Sequence, residues 1–314
     1  MQKDPKLRKK FFFVILVTFS LATGYVRAID SLGICLKNGG HAFAQNDYAE
    51  AIRCFNKALE FDSLNLIALK TLGVIYSDMG NYDESHYFYD RAIQADSTDA
   101  AIYNSRGITY LSMGDTTSAM AMHRRAVQLD PENARFAANL GSILLRRQRL
   151  TELLTTLKPV LKYDTTNAQV YYLIGRALLA AGKYYECEEY FNRAYALKPS
   201  NTQYLYYQAV ARHEVGNVVE AEIGLKKTLE KEPGHFDAHM RLGVLYILAG
   251  RDREAMEQFK KAVEARPDDI SARVALGSAY LRQNMDEQAE PIYYWLQKRD
   301  PKAAEKMMRL GGRQ

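Results

Sequence analysis

The sequence predicts an all-α chain of tandem helix hairpins, and three observations predict it. Residues recur with a period of 34 without insertion, each period carries two stripes of apolar or small residues at helical spacing, and Gly, Asn and Pro recur where helices must end. With residue 32 as position 1, position 8 reads Gly39, Gly73, Gly107, Gly141, Gly175, Ala209, Gly243 and Gly277. Position 20 reads Ala51, Ser85, Ala119, Leu153, Cys187, Ala221, Ala255 and Ala289. Position 24 reads Phe55, Tyr89, His123, Leu157, Phe191, Leu225, Phe259 and Tyr293, and position 27 reads Ala58, Ala92, Ala126, Val160, Ala194, Thr228, Ala262 and Leu296. Eight units therefore tile residues 32–65, 66–99, 100–133, 134–167, 168–201, 202–235, 236–269 and 270–303.

In each unit, positions 4, 7, 8 and 11 form one helical stripe, as in Leu69, Leu72, Gly73 and Tyr76, and positions 20, 24 and 27 form the stripe of a second helix. Position 15 between them is Gly80, Gly114, Gly182, Gly216 or Gly250, or Asn46 or Asn284, which suits a left-handed residue ending the first helix. Position 32 is Pro131, Pro199, Pro233, Pro267 or Pro301, which cannot continue the second helix and suits the first turn of the next. Glycine at 8 is expected to face the small residue at 20, with the aromatic at 24 filling the space beside them. One hairpin cannot bury both stripes, so neighbours must stack.

The fourth unit departs most, with Leu153, Leu157, Val160 and Thr165 where small, aromatic, small and proline residues recur. Pro159 falls inside its expected second helix, where it removes a hydrogen bond. Two readings stand: a drifted repeat that still packs, or a local change of curvature. Residues 304–314 carry Met307, Met308 and Leu310 before Gly311 and Gly312, which reads as a short capping helix and tail.

The first 28 residues are an address. A basic stretch, an apolar run from Phe11 and the triplet Val26-Arg27-Ala28 have the order of a secretory signal cleaved after Ala28. The alternative is an uncleaved anchor, with membrane contact only through residues 11–26. An exported chain is thus expected, periplasmic or secreted after cleavage, or else anchored by that segment. The net charge of +5 resides there too: residues 1–28 hold six of the 42 Lys and Arg and one of the 37 Asp and Glu, which leaves 36 of each behind. A body without excess charge lacks the electrostatic footprint of nucleic-acid binding.

These residues resemble the tetratricopeptide repeat (TPR) family, whose pattern has a bulky residue at 4, Leu at 7, Gly at 8, Tyr at 11, Ala at 20, Phe at 24, Ala at 27 and Pro at 32. The resemblance covers 272 of the 314 residues. It implies a right-handed α-α superhelix whose concave face binds other proteins, and it assigns that face to positions 2, 5, 9, 12 and 13.

That face carries Lys70, Asn104, Arg135, Arg146, Gln169, Tyr172, Arg176, Gln203, Tyr206, His213 and Glu214, with Val210, Met240, Val244 and Ile247 making its later part apolar. Arginine among aromatics is the composition of a peptide-contacting surface. The expected partner-binding set is Lys70, Asn104, Arg135, Arg146, Gln169, Tyr172, Arg176, Tyr206 and Met240. A carboxylate clamp like that of some family members is not matched: Lys70 and Arg135 are in place, but Val74, Ser105 and Asn139 stand at its other positions.

Catalytic chemistry is not visible. A phosphate loop, G-x-S-x-G and H-E-x-x-H are missing, since His213-Glu214 continues Val215-Gly216-Asn217. His235 and His239 have helical spacing for a metal pair but occupy positions 34 and 4, where packing residues are expected. His123 is expected as a core imidazole with a hydrogen-bond partner, and Cys187 as a small buried hydrophobe. Cys35 and Cys54 fall opposite each other in one hairpin, which leaves a disulfide open. No enzyme, cofactor or metal is expected. The sequence-level expectation is a scaffold that holds a protein or extended peptide in its groove, or else an assembly subunit of a cell-envelope complex that uses its convex face or terminal repeats.

Overall fold

The computed structural model describes residues 30–313. The expected signal segment lies outside the described residues. Every regular element among those described is helical: α1 (30–44), α2 (Tyr48–Phe61), α3 (Leu66–Asp78), α4 (Tyr82–Ala95), α5 (Ala100–Ser112), α6 (Thr116–Leu129), α7 (Ala134–Arg146), α8 (Leu150–Val160), α9 (Ala168–Ala180), α10 (Tyr184–Leu197), α11 (Thr202–Glu214), α12 (Val218–Lys231), α13 (Phe236–Leu248), α14 (Asp252–Ala265), α15 (Ile270–Arg282), α16 (Asp286–Arg299) and α17 (Pro301–Leu310). Odd-numbered helices to α15 are the first helix of a hairpin and even-numbered ones the second. None of the described helices is long and apolar enough to cross a membrane.

Two signals write the helix boundaries. Position 15 adopts the left-handed conformation in every hairpin, with φ of 60° at Asn46, 56° at Gln148, 55° at Asn284 and 71–89° at the glycines. The next N–H then bonds back to position 11, as Asn81 N–H to the Tyr76 carbonyl at 2.8 Å and Arg251 N–H to that of Tyr246 at 2.8 Å, the doubled-back bond that ends a helix on a left-handed residue. Position 34 caps the following first helix. Asn65, Asp99, Asn133, Asn167, Asn201, His235 and Asp269 each accept a backbone N–H two or three residues on.

The prolines correct the expectation placed on them. Pro131, Pro199, Pro233 and Pro267 lie in the turns between hairpins, three residues before the next helix, and Pro301 alone opens a helix. It starts α17 three residues earlier than residue 304, because Asp300 caps it by accepting the Ala303 N–H. Pro159 lies in the last turn of α8, not mid-helix. Its helix stops at Val160, with 11 residues against the 14 of the other second helices from α2 to α16.

The chain divides into two compact units, one ending at Ile143 and the other beginning at Leu144. The first has its core in Phe55, Leu69, Leu72, Ile75, Tyr89 and Ile102. The second buries Leu225, Leu242, Phe259, Ala289, Leu296 and Met307 in one cluster.

Hairpin packing rests on the glycine at position 8, but its partner is not the residue first expected. A Cβ there would sit 2.6 Å from the Tyr89 ring at Gly73, 2.8 Å from Phe191 at Gly175 and 2.5 Å from Phe259 at Gly243, so the ring at position 24 lies directly on the glycine backbone. Position 20 packs beside it, and Ser85 Oγ there donates to the Gly73 carbonyl at 2.7 Å. Where Ala209 replaces glycine, Gly224 on the facing helix supplies the missing space: a Cβ on it would lie 2.7 Å from that of Ala209. In the last hairpin, Met307 of α17 occupies the place over Gly277, so the cap is keyed into the same slot.

Candidate functional site

In the first unit the candidate residues serve mostly to join helices. Lys70 on α3 pairs with Asp99 at 2.5 Å, the residue that caps α5. Asn104 is buried, and its Oδ1 accepts from Asn139 Nδ2 at 2.8 Å. Arg135 is exposed, with its guanidinium 5.5 Å from the Phe136 ring centre.

The second unit holds the denser constellation. Tyr172 on α9 is 7% exposed and packs against Tyr204 at 5.0 Å, Tyr207 at 5.5 Å and Phe191 at 6.2 Å between ring centres. Its hydroxyl accepts from Arg176 Nη1 at 2.7 Å, one turn along the helix. Burial pushes the Tyr172 phenol up to about 12, against the pull of the Arg176 charge, so it stays protonated. The Arg176 guanidinium lies 4.3 Å from the Tyr207 ring centre. No carboxylate among the described residues pairs with it. A cation clamped by a hydroxyl and an aromatic face, half-buried and without an acid, is ready to receive an anionic group.

Tyr206 is 9% exposed and lies on His235 at 4.9 Å and edge-on to Tyr207 at 5.0 Å. Tyr172 and Tyr206 therefore present little ring surface of their own; Tyr172, together with Tyr207, holds Arg176. Arg241 is tied to Glu214 at 3.0 Å. Met240 is partly buried against Phe236, Ala262 and Ala272. Arg146 and Gln169 are exposed, and Gln169 N–H caps onto Asn167 Oδ1. Farther along the same stripe Val244 and Leu248 stand 43% and 72% exposed. Tyr204, Tyr207 and Leu248 were not among the expected site residues. Leu248 follows from its place at position 13, whereas the tyrosine pair carries no periodic signal.

Among the histidines and cysteines, His239 and Cys187 are buried as expected, while His235 and His123 differ from expectation. His235 is a cap, its Nδ1 accepting from Ala238 N–H at 3.2 Å, as well as the ring that packs on Tyr206. His239 has both ring nitrogens engaged, Nδ1 with Gln258 Oε1 and Nε2 with the Pro233 carbonyl, each at 2.8 Å, which leaves the pair no free lone pairs to share. No group of three or more metal-ligating side chains assembles among the described residues. His123 is fully buried against Gly107 without a hydrogen-bond partner for either nitrogen, contrary to the expected partnered imidazole. Burial holds it down at about 4. Cys187 is a buried thiol pushed up to about 12 by the same cause. Cys35 and Cys54 are also buried and free.

A family model described as the cilia and flagella-associated protein 70 C-terminal domain matches residues 20–241, and a tetratricopeptide repeat model matches residues 213–271. The chain belongs to the tetratricopeptide repeat family. Solved TPR structures share the fold: PilF of Pseudomonas aeruginosa is 18% identical over 67% of this chain and 96% of that one, with a TM-score of 0.60. The C-terminal part of a TPR repeat-containing protein of Cytophaga hutchinsonii is 19% identical over 77% and 99%, at 0.58. A TPR protein of Parabacteroides merdae is 17% identical over 79% and 98%, at 0.54. These likenesses speak for the fold alone. No curated relative matches the sequence. Within the TPR frame, positions 5 and 9 of the fifth repeat are Tyr172 and Arg176, and positions 9 and 13 of the seventh are Val244 and Leu248.

Proposed function

We propose that this TPR protein is a non-enzymatic scaffold, exported across a membrane, that holds a partner protein or an extended peptide on the face of its first helices. The observation that carries the reading is Arg176. It is held in place by the Tyr172 hydroxyl and the Tyr207 ring, yet no carboxylate of the described chain neutralises it. Elsewhere in the second unit Arg241 is tied to Glu214 and Arg251 to Glu222, so those two are neutralised within the chain. Charge-assisted bonds from Arg176 fix an anionic group of the ligand, and the apolar residues farther along supply burial. The basic segment, apolar run and small-residue site of the first 28 residues motivate export.

Affinity capture from the native extract, comparing the parent with Arg176→Glu, tests the binding reading. The variant should lose partners that the parent retains. Identical captures by both, with equal helix content by circular dichroism, exclude this face. Intact-mass measurement of the mature protein tests export: a chain that retains Met1 to Ala28 excludes cleavage.

A second reading, an assembly subunit docking through its convex side, is favoured by exposed apolar residues at the starts of two second helices. Tyr185 on α10 is 81% exposed, and Val219 on α12 is 67% exposed. Loss of captured partners on Tyr185→Glu with Val219→Glu, but not on Arg176→Glu, selects that reading.

A further inference from the structure

Two clefts open at the carboxyl-terminal end of the first-helix face, between α13, α15 and α17, with volumes of about 470 and 220 Å³. Met240, Ile270 and Val274 line the larger, Val244, Ile247 and Leu248 the smaller, and Ala275 and Leu310 line both. The two are thus one apolar trough, shared at Leu310 of the cap. The cap explains half of its own sequence. Ala303, Ala304 and Met307 are buried against the last hairpin, and Met307 is keyed over Gly277. Leu310 has no such use. It is 50% exposed, and it faces Leu248, the most exposed large apolar residue of α13.

The charges beside the trough are mostly basic. Lys302 and Lys306 line the larger cleft one helical turn apart, and neither has a carboxylate partner among the described residues. Like charges at that spacing repel each other along a helix. Asp300, the acid in the same lining, caps α17 by accepting the Ala303 N–H and keeps its charge, so one acid stands against two lysines and the lining stays net basic. Arg282, on the rim of the smaller cleft, is paired with Asp252 at 3.0 Å. An occupant must therefore bring apolar side chains for Val244, Leu248 and Leu310 and carboxylates for the two lysines, about 6 Å apart at one turn of α17.

We propose that this trough binds a peptide segment of a partner that carries acidic side chains beside apolar ones. The inference rests on the groove reading above and adds to it a place, distinct from Arg176, and a ligand chemistry. Acidic side chains set the orientation through the lysine pair, and apolar burial along α13 and α17 holds the segment.

The test uses the full mature chain and a short fluorescein-labelled peptide in which leucine pairs alternate with glutamates, with its glutamine and lysine counterparts, read by fluorescence anisotropy. The glutamate peptide should bind about tenfold more tightly than the glutamine peptide, the difference expected of roughly one charge-assisted contact, and the lysine peptide should not bind. Leu248→Asp, and separately Lys302→Glu with Lys306→Glu, should each weaken the glutamate peptide by about tenfold or more. All three residues are exposed, so the variants keep the fold, checked by circular dichroism.

Equal binding of the glutamate and glutamine peptides, unchanged binding by the variants, or no binding of the glutamate peptide overturns the proposal. Loss of binding on Arg176→Ala alone overturns this placement while the groove reading stands. Insensitivity to Arg176→Ala and to the cap variants alike removes both. A dimer in sedimentation equilibrium that Leu248→Asp dissolves makes the occupant a second copy of the chain and overturns the proposal as well.

Discussion

Replacing His123 by phenylalanine should stabilise the first unit and remove part of its acid sensitivity. The imidazole is fully buried in the slot that other hairpins fill with Phe55, Phe191 or Phe259, and neither nitrogen has a partner. An unsatisfied buried polar group costs about 1–3 kcal/mol, and a benzene ring in the same slot carries no such cost. The neighbouring glycine tolerates it: a Cβ on Gly175 would lie as close to Phe191, 2.8 Å, as one on Gly107 lies to His123. A second effect is pH-dependent. His123 titrates at about 4 in the folded chain against an ordinary 6.5, so the unfolded chain binds the proton first as pH falls. Its contribution is complete above the unfolded value of 6.5 and is lost from there down to 4, by about 2 kcal/mol between pH 7.5 and pH 5.0. Repeat arrays unfold in parts, so amide hydrogen exchange of α5 and α6 is the proper assay, not a single global midpoint. The phenylalanine variant should protect these helices more at pH 7.5 and lose about 2 kcal/mol less than the parent at pH 5.0, intrinsic exchange being corrected for pH. A His123 ring that titrates near 6.5 in the folded protein, or a variant with the parent's full acid loss, refutes the reasoning.

Gly243→Leu should cost roughly 1–3 kcal/mol or more, because even a Cβ would lie 2.5 Å from the buried Phe259 ring, whereas Gly234→Ala, with nothing within 4 Å, should be neutral in the same urea titration. Gln148→Gly should stabilise the turn between α7 and α8 by up to about 1 kcal/mol, since a side chain at φ 56° carries strain that glycine does not; no gain in urea resistance would count against that assignment. Cys187 should resist thiol-reactive dye at neutral pH in the folded state and react on denaturation, burial holding its thiol protonated; rapid native labelling contradicts its placement.

Much of the fold was legible because it is written twice, once in the apolar stripes and once in the helix stops. Position 15 shows how far a composition rule reaches: Gly or Asn predicts the left-handed residue in seven hairpins, and Gln148 takes the same φ in the fourth because the chain must turn there regardless. The caps at position 34 carry an equal signal, which the reading of that position as a packing one passed over. Asn65, Asp99, Asn133, Asn167, Asn201 and Asp269 form a column of N-cap residues, and the histidine in that column is a cap for the same reason. Less legible was what meets the glycine at position 8. Period alone puts positions 20 and 24 on one stripe, and only the crossing of the two helices decides which of them lies over the glycine backbone. The pair Ala209 and Gly224 shows that the requirement is for space, not for glycine at a numbered position.

The candidate site was harder to read, because a position number gives the direction of a side chain and not what its neighbours do to it. Tyr172 and Tyr206 point along the stripe assigned to ligand contact, yet each is covered by neighbouring rings: Tyr204 and Tyr207 over Tyr172, His235 and Tyr207 around Tyr206. Lys70 points the same way and is taken by Asp99. The same stripe leaves Arg176 without an acid and leaves Leu248 bare. On the proposed reading, interaction chemistry resides in the residues that the array itself does not consume. An acid near Arg176, or an aromatic over Leu248, would have made this face as self-sufficient as Lys70 and Asp99 make the face of α3. Its absence among the described residues makes Arg176 and the cap lysines, more than the tyrosines, the positions where charge reversal should change binding while the fold stays intact.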